Sequence, residues 1–237
     1  MFRAACVPTA ALAEQPEAAA IIGGYREAGQ RRLSRVIARL EAPLPASDER
    51  ETPLVNLLAA GLRRWTDAEI GIVNAGQLLG GLALGDVTAG ELHALCPSPI
   101  NPCRLVIAGR HIREALEQSL LPEYIYKPIK GYGFRGKVLG SLAIDGMTVS
   151  YDSTRPAMNR IVAAEVNGLP LADEQLYTVG SIDMFTFKIG YESLALAEER
   201  RYYMPEFIRD IIASQLTSEV ELSDCHRLRW SNQAASL

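Results

Sequence analysis

Residues 70–86, IGIVNAGQLLGGLALGD, constrain the fold more than any other stretch, because they join a buried-strand pattern to a loop of small residues. Ile70, Ile72 and Val73 form a short apolar, β-branched run suited to an interior strand. The run stops at Asn74-Ala75-Gly76. With no Cβ at Gly76, Gly80 and Gly81, the backbone N–H groups there are open to close approach by an anion or a polar ligand. The same letters also describe a glycine turn that only redirects the chain, and at this point both readings stand.

The charge balance narrows the partners. With 24 Lys and Arg against 28 Asp and Glu, the net charge of −4 gives no general attraction to nucleic-acid polymers or anionic membranes. A chain of 237 residues, 48% hydrophobic and 22% charged, fits one large globular domain, or one domain with extensions. No apolar run approaches the roughly 18 residues that span a bilayer. A soluble chain is therefore expected, with the cytoplasm preferred over the periplasm or the exterior. At the start, Pro8 interrupts a short apolar region, which reads as a ragged beginning rather than a secretion signal. Cys6, Cys96, Cys103 and Cys225 are too few for a disulfide framework and match no common zinc spacing. Buried reduced thiols are expected, with a Cys96–Cys103 bridge as the alternative.

Periodicity predicts a helix over 16–40 with a break near Gly29, then a linker or short edge strand marked by Pro43 and Pro45. A second helix starts at Pro53, with Thr52 as N-cap, and its Asn56 is expected to be buried and to hold a loop carbonyl. After the strand at 70–73, Thr88 and Glu91 have the spacing of a capping box opening a helix over 89–95. A strand at 104–108, a turn at Gly109 and a helix over 111–121 follow. Residues 122–137 mix aromatics, lysines, glycines and prolines without a period and read as a long surface loop. Strands are predicted at 142–144, 147–151, 161–166, 169–171 and 177–182, with Asn167-Gly168 as a hairpin turn. A closing helix over 204–216 has Pro205 in its first turn, and a last strand is expected within 222–230. The sum is an α+β domain with hairpin-linked strands between flanking helices.

Asn74-Ala75-Gly76, then Gly85-Asp86-Val87-Thr88 ahead of a helix, then Pro99-Ile100-Asn101-Pro102, and finally Gly190-Tyr191 after Ser181-Ile182-Asp183 form a recognisable series. It resembles the C-terminal domain of the 5′-nucleotidase family of bifunctional metallophosphoesterases, whose pattern runs NAGGIR, G-D-[IV]-[TS], P-F-G-N and G-G-D-G-Y. The resemblance spans about residues 34–216. It implies a layered α/β/β/α fold, with residues 1–45 as an N-terminal extension and interdomain connecting helix and 46–237 as the domain itself. In that family this domain recognises the substrate: aromatic side chains sandwich the nucleobase and arginines hold the phosphate. Metals and the catalytic His–Asp pair belong to an N-terminal domain with no counterpart in these residues. Divalent metals are thus expected in that other domain, no cofactor in this one, and the chain alone is not expected to hydrolyse phosphate esters. Its implied partners are a nucleotide or related phosphorylated small molecule and its own catalytic domain.

Carried over residue by residue, the resemblance makes Asn74, Gly76, Ile100, Asn101, Phe185, Phe187 and Tyr191 the candidate substrate-binding residues. Several diagnostic letters have changed. The arginine of NAGGIR falls on Leu79, which removes a bidentate phosphate donor. One stacking phenylalanine falls on Ile100 and the other on Met184 or its neighbour Phe185, while the ribose-binding aspartate falls on Ile189. Phe185 and Phe187 alternate about Thr186 and either could supply a base platform, or both could be core. Lys188 is a candidate replacement charge. Arg155 and Arg160, in a D-x-x-R-P-x-x-R hairpin, read as structural. No catalytic residue and no metal ligand is assigned, since His93, His111 and His226 show no metal-site spacing. Two readings follow: a substrate-recognition domain, or a non-catalytic module for interdomain or oligomeric contact with a degenerate ligand site.

Overall fold

The computed structural model describes residues 13–131 and 133–236. Residues 1–12, which hold the expected ragged start and Cys6, lie outside them. The chain forms α1 (Pro16–Leu33), β1 (Val36–Leu40), α2 (Pro53–Trp65), β2 (Ile70–Asn74), β3 (Gly85–Thr88), α3 (Ala89–Leu95), β4 (Pro102–Ala108) and α4 (Gly109–Gln118). It continues with α5 (Pro122–Ile125), β5 (Leu142–Asp145), β6 (Met147–Tyr151), β7 (Ile161–Val166), β8 (Leu169–Pro170) and β9 (Leu176–Ile182). The last elements are α6 (Asp183–Thr186), β10 (Glu199–Tyr202), α7 (Ile208–Gln215), α8 (Glu219–Asp224) and β11 (Trp230–Asn232).

Two main sheets carry the fold. The five-stranded sheet runs β10-β4-β9-β2-β5 and the four-stranded sheet β11-β6-β7-β8, beside a β1–β3 ribbon. In the larger sheet only β2 and β9 pair in parallel, which puts the ends of both strands on one side of the molecule. β2 is buried along its whole length, as its apolar run requires. Helix α2 packs on β2, β5 and β9, with α7 against its outer face, while α4 touches β4 of one sheet and β7 of the other. The expected layered α/β arrangement is the one found.

Locally encoded features match the sequence. Thr88 and Glu91 close a complete capping box. Asn167 and Gly168 both take positive φ, 52° and 77°, as the hairpin turn demands. Asn56 is buried and its amide donates to the carbonyls of Cys225 and Arg227 at 3.2 and 3.3 Å. Arg160 donates to the carbonyl of Leu120 at 2.6 Å, in keeping with a structural role. Cys96, Cys103 and Cys225 are free and buried.

Other expectations need correction. The first helix ends at Leu33 and does not break at Gly29; Val36–Leu40 is a strand, because these residues form a ladder with β3. None of α1 is buried, and Ile21, Ile22 and Tyr25 face outward. Thr52 stands at the N-cap of α2, but its hydroxyl makes no capping bond. Gly109 opens α4 rather than forming a separate turn. The closing helix starts at Ile208, where Asp210 accepts from the Phe207 N–H at 2.8 Å, so Pro205 precedes it. Within 222–230 the expected strand gives way to α8, capped by Ser218, and strand β11 begins only at Trp230. The 122–137 stretch is not all surface: Ile129 and Phe134 are buried.

Candidate functional site

The first loop leaves β2 at Asn74. The Asn74 amide donates to the carbonyl of Leu139 at 2.5 Å, and its oxygen accepts from Gln77 Nε2 at 2.9 Å. Both side chains are fully buried. The loop N–H groups have partners within the chain: Ala75 donates to Ser141 O, Gly76 to Leu139 O, Leu78 to Ala75 O and Leu79 to Leu95 O, all at 2.8–3.1 Å. A Cβ at Gly76 would collide with the carbonyl of Val138 and stand 2.6 Å from that of Leu139. Glycine at 76 therefore admits the chain's own backbone, the segment that follows the 122–137 stretch. Gly80, by contrast, borders open space, and Leu79 beside it is half exposed.

The second loop, residues 99–101, is tied from two sides. Ile100 is buried and its carbonyl accepts from Ile208 N–H at 3.0 Å. Asn101 is half-buried; its amide donates to Glu206 O at 2.6 Å and its carbonyl accepts from Asp183 N–H at 3.0 Å. This last bond fixes the second loop to the third. The first loop reaches the third through Gln77 Nε2, 3.8 Å from Met184 Sδ. All three loops thus meet at the ends of β2 and β9 and the start of β4.

The third loop opens with the helical turn α6, so its two phenylalanines part company. Phe185 is buried and meets Tyr191 edge to face at 5.9 Å, while Phe187, one position past the turn, is 59% exposed. Tyr191 is buried too, donates to Gly140 O at 2.7 Å, and is stacked by Tyr124 at 5.9 Å. Burial pushes the Tyr191 phenol well above its ordinary range. Burial likewise raises the Asp183 carboxyl, against the lowering effect of its backbone hydrogen bonds. Lys188 is exposed, in the left-handed region at φ 61°. Tyr202, which sequence reasoning missed, is exposed on β10 and its hydroxyl donates to Thr186 Oγ1 at 3.1 Å.

Of the candidate residues, Asn74, Gly76, Ile100, Phe185 and Tyr191 are buried, whereas Phe187 is exposed and Asn101 partly so. Together with Lys188, Thr186 and Tyr202, these two offer a small surface with one aromatic face, one cation and amide and hydroxyl groups. A cavity of about 390 Å³ lies elsewhere, lined by Arg50, Ser141, Tyr151, Arg160 and Trp230 among others, and includes none of the candidate residues. Among the described residues no three His, Cys, Asp or Glu side chains come together as a metal-holding group. No helix among the described residues is long and apolar enough to cross a membrane.

This mixed α/β architecture of two sheets and flanking helices is the fold of a 5′-nucleotidase C-terminal domain. The family model for that domain matches residues 35–193, and the chain belongs to this family. It is 33% identical over 205 residues to the uncharacterized metallophosphoesterase YunD of Bacillus subtilis, a match covering 86% of this chain and 44% of YunD. In fold it is similar to the 5′-nucleotidase precursor of Thermus thermophilus, with a TM-score of 0.69 and 20% identity over 91% of this chain and 43% of that one. It is similar also to a putative 5′-nucleotidase of Staphylococcus aureus, with a TM-score of 0.72 and 16% identity over 95% of this chain and 45% of that one. The chain thus spans less than half the length of each of these relatives.

Proposed function

We propose that this chain is the substrate-recognition domain of a 5′-nucleotidase-like metallophosphoesterase of nucleotide catabolism, acting with a metal-bearing N-terminal domain of the same protein. The observation that supports this most is Phe187, an exposed aromatic face on a loop hydrogen-bonded to its neighbour through Asp183 and Asn101. A base stacked on one such face gains about 1–3 kcal/mol. Lys188 supplies a point charge for a phosphate that Leu79 does not hold. In the full-length protein, Phe187→Ala should raise KM for a nucleoside monophosphate several-fold and change kcat little. An unchanged KM would contradict the assignment.

A second reading has its own support: buried Asn74, Ile100, Phe185 and Tyr191 and internally bonded loop N–H groups suit a module kept for interdomain or oligomeric contact. The two separate on the gene. An upstream segment with D-x-H and G-N-H-[ED] metal motifs favours the first, and its absence the second.

A further inference from the structure

We propose that Arg104 on β4 and Arg201 on β10 form an oxyanion site, taking a phosphate group or a carboxylate, on the face of the larger sheet that α2 covers in part. The site goes beyond the nucleobase surface at Phe187. Arg104 stands directly across from Arg201 in the antiparallel β4–β10 register, so both side chains leave the same face of the sheet. Like charges so placed repel each other. Tyr202, next along β10, points to the opposite face, where it meets Thr186.

No carboxylate among the described residues offsets that repulsion. Neither guanidinium has a carboxylate within ion-pair distance, and Arg104 Nε is buried without a hydrogen-bond partner. Arg201 lies over the ring of Tyr203, 5.1 Å from its centroid, and the Tyr203 hydroxyl donates to Thr66 O at 3.3 Å. This fixes an aromatic wall beside the pair. On the other side Arg104 adjoins Gly180 of β9, over which the last turn of α2 is laid. The carbonyl of Leu62 there is taken by the N–H and hydroxyl of Thr66. Glu69 is held by the N–H and hydroxyl of Thr178, and Glu199, across from Val106, reaches neither arginine. Two guanidinium groups carried by cross-strand partners on one face, one with a buried unpartnered N–H, offer the donors that the oxygens of a bridging anion take. Such an anion cancels the repulsion and satisfies Nε at once.

The test is a titration of the ¹⁵N-labelled chain with inorganic phosphate and, separately, with succinate, each against sodium chloride of equal ionic strength. The expected result is saturable movement of the Arg104 and Arg201 Nε–H signals by at least one of the two anions, and the tighter one identifies the source. Because Arg201 is exposed, Arg201→Gln should leave the fold intact and weaken that binding roughly tenfold or more, the effect of losing a charge-assisted hydrogen bond. Signals that neither anion moves beyond the chloride control, or an affinity unchanged in Arg201→Gln, would overturn the proposal.

Discussion

The backbone of Gly76 lies directly against the carbonyl of Val138, leaving no room for a side chain between the loop after β2 and the segment leading into β5. A methyl group there has only backbone to push against. Gly76→Ala should therefore destabilise the chain by about 1–3 kcal/mol, the range of overpacked cores. Urea unfolding measures it, and a loss within about 0.5 kcal/mol, ordinary for a surface change, would contradict the packing described.

The C-terminal segment hangs on a buried guanidinium. Arg229 donates to Asp145 and Asp224 at 2.7 Å each, and Asp145 also accepts from Arg63. Arg229→Met leaves Asp145 with one partner and should cost about 3 kcal/mol, as breaking a buried ion pair does. The Arg229 and Trp230 N–H groups also donate to the Glu51 carboxylate, at 2.8 and 3.1 Å, and a loss below about 1 kcal/mol would show that these bonds and those of Asn56 hold the segment without the guanidinium.

Burial pushes the Cys96 thiol from 9.0 up to about 12, and that of Cys103 higher still. Both thiols stay protonated in the folded chain while the unfolded chain ionises them, so the unfolded state binds fewer protons above its own pKa. Stability is then fully present below pH 9 and falls as pH rises toward 12, by about 1.4 kcal/mol per unit for each thiol. Denaturation at pH 8 and pH 10 should show this slope, and Cys96→Ala should reduce it. A slope unaltered by the substitution would count against a buried neutral thiol.

How much of this was legible depended on how local the cause is. The β2 run, the Thr88–Glu91 box and the Asn167-Gly168 hairpin are set by neighbours within a few residues, and each formed as its letters specify. Val36 and Ile37 continue the helical spacing of 21–33, and only the distant partner β3 makes them a strand. β10 is polar and exposed throughout, and exists because β4 pairs with it. At the site the resemblance placed the loops, but the contact of Gly76 with Val138 joins segments some sixty residues apart and leaves no local pattern. Alternation about Thr186 assumed an extended chain. The helical turn α6 instead buries Phe185 and turns Phe187 out.

On the proposal that a separate N-terminal domain carries the metals, the chain alone should not release phosphate from nucleoside monophosphates with Mn²⁺, Co²⁺ or Zn²⁺. Colorimetric phosphate assay checks this. Metal-dependent turnover that co-purifies with the chain and vanishes in a designed point mutant would contradict it.

The most direct test of the recognition role is a titration of the isolated chain with a nucleoside monophosphate, followed by NMR shifts. With Leu79 in the arginine position and one exposed aromatic, binding should be in the millimolar range, about 4 kcal/mol. Shifts should cluster at Phe187, Lys188 and Asn101 and shrink in a folded Phe187→Ala variant. Micromolar affinity, or shifts that map to residues 122–137 and survive Phe187→Ala, would contradict the account.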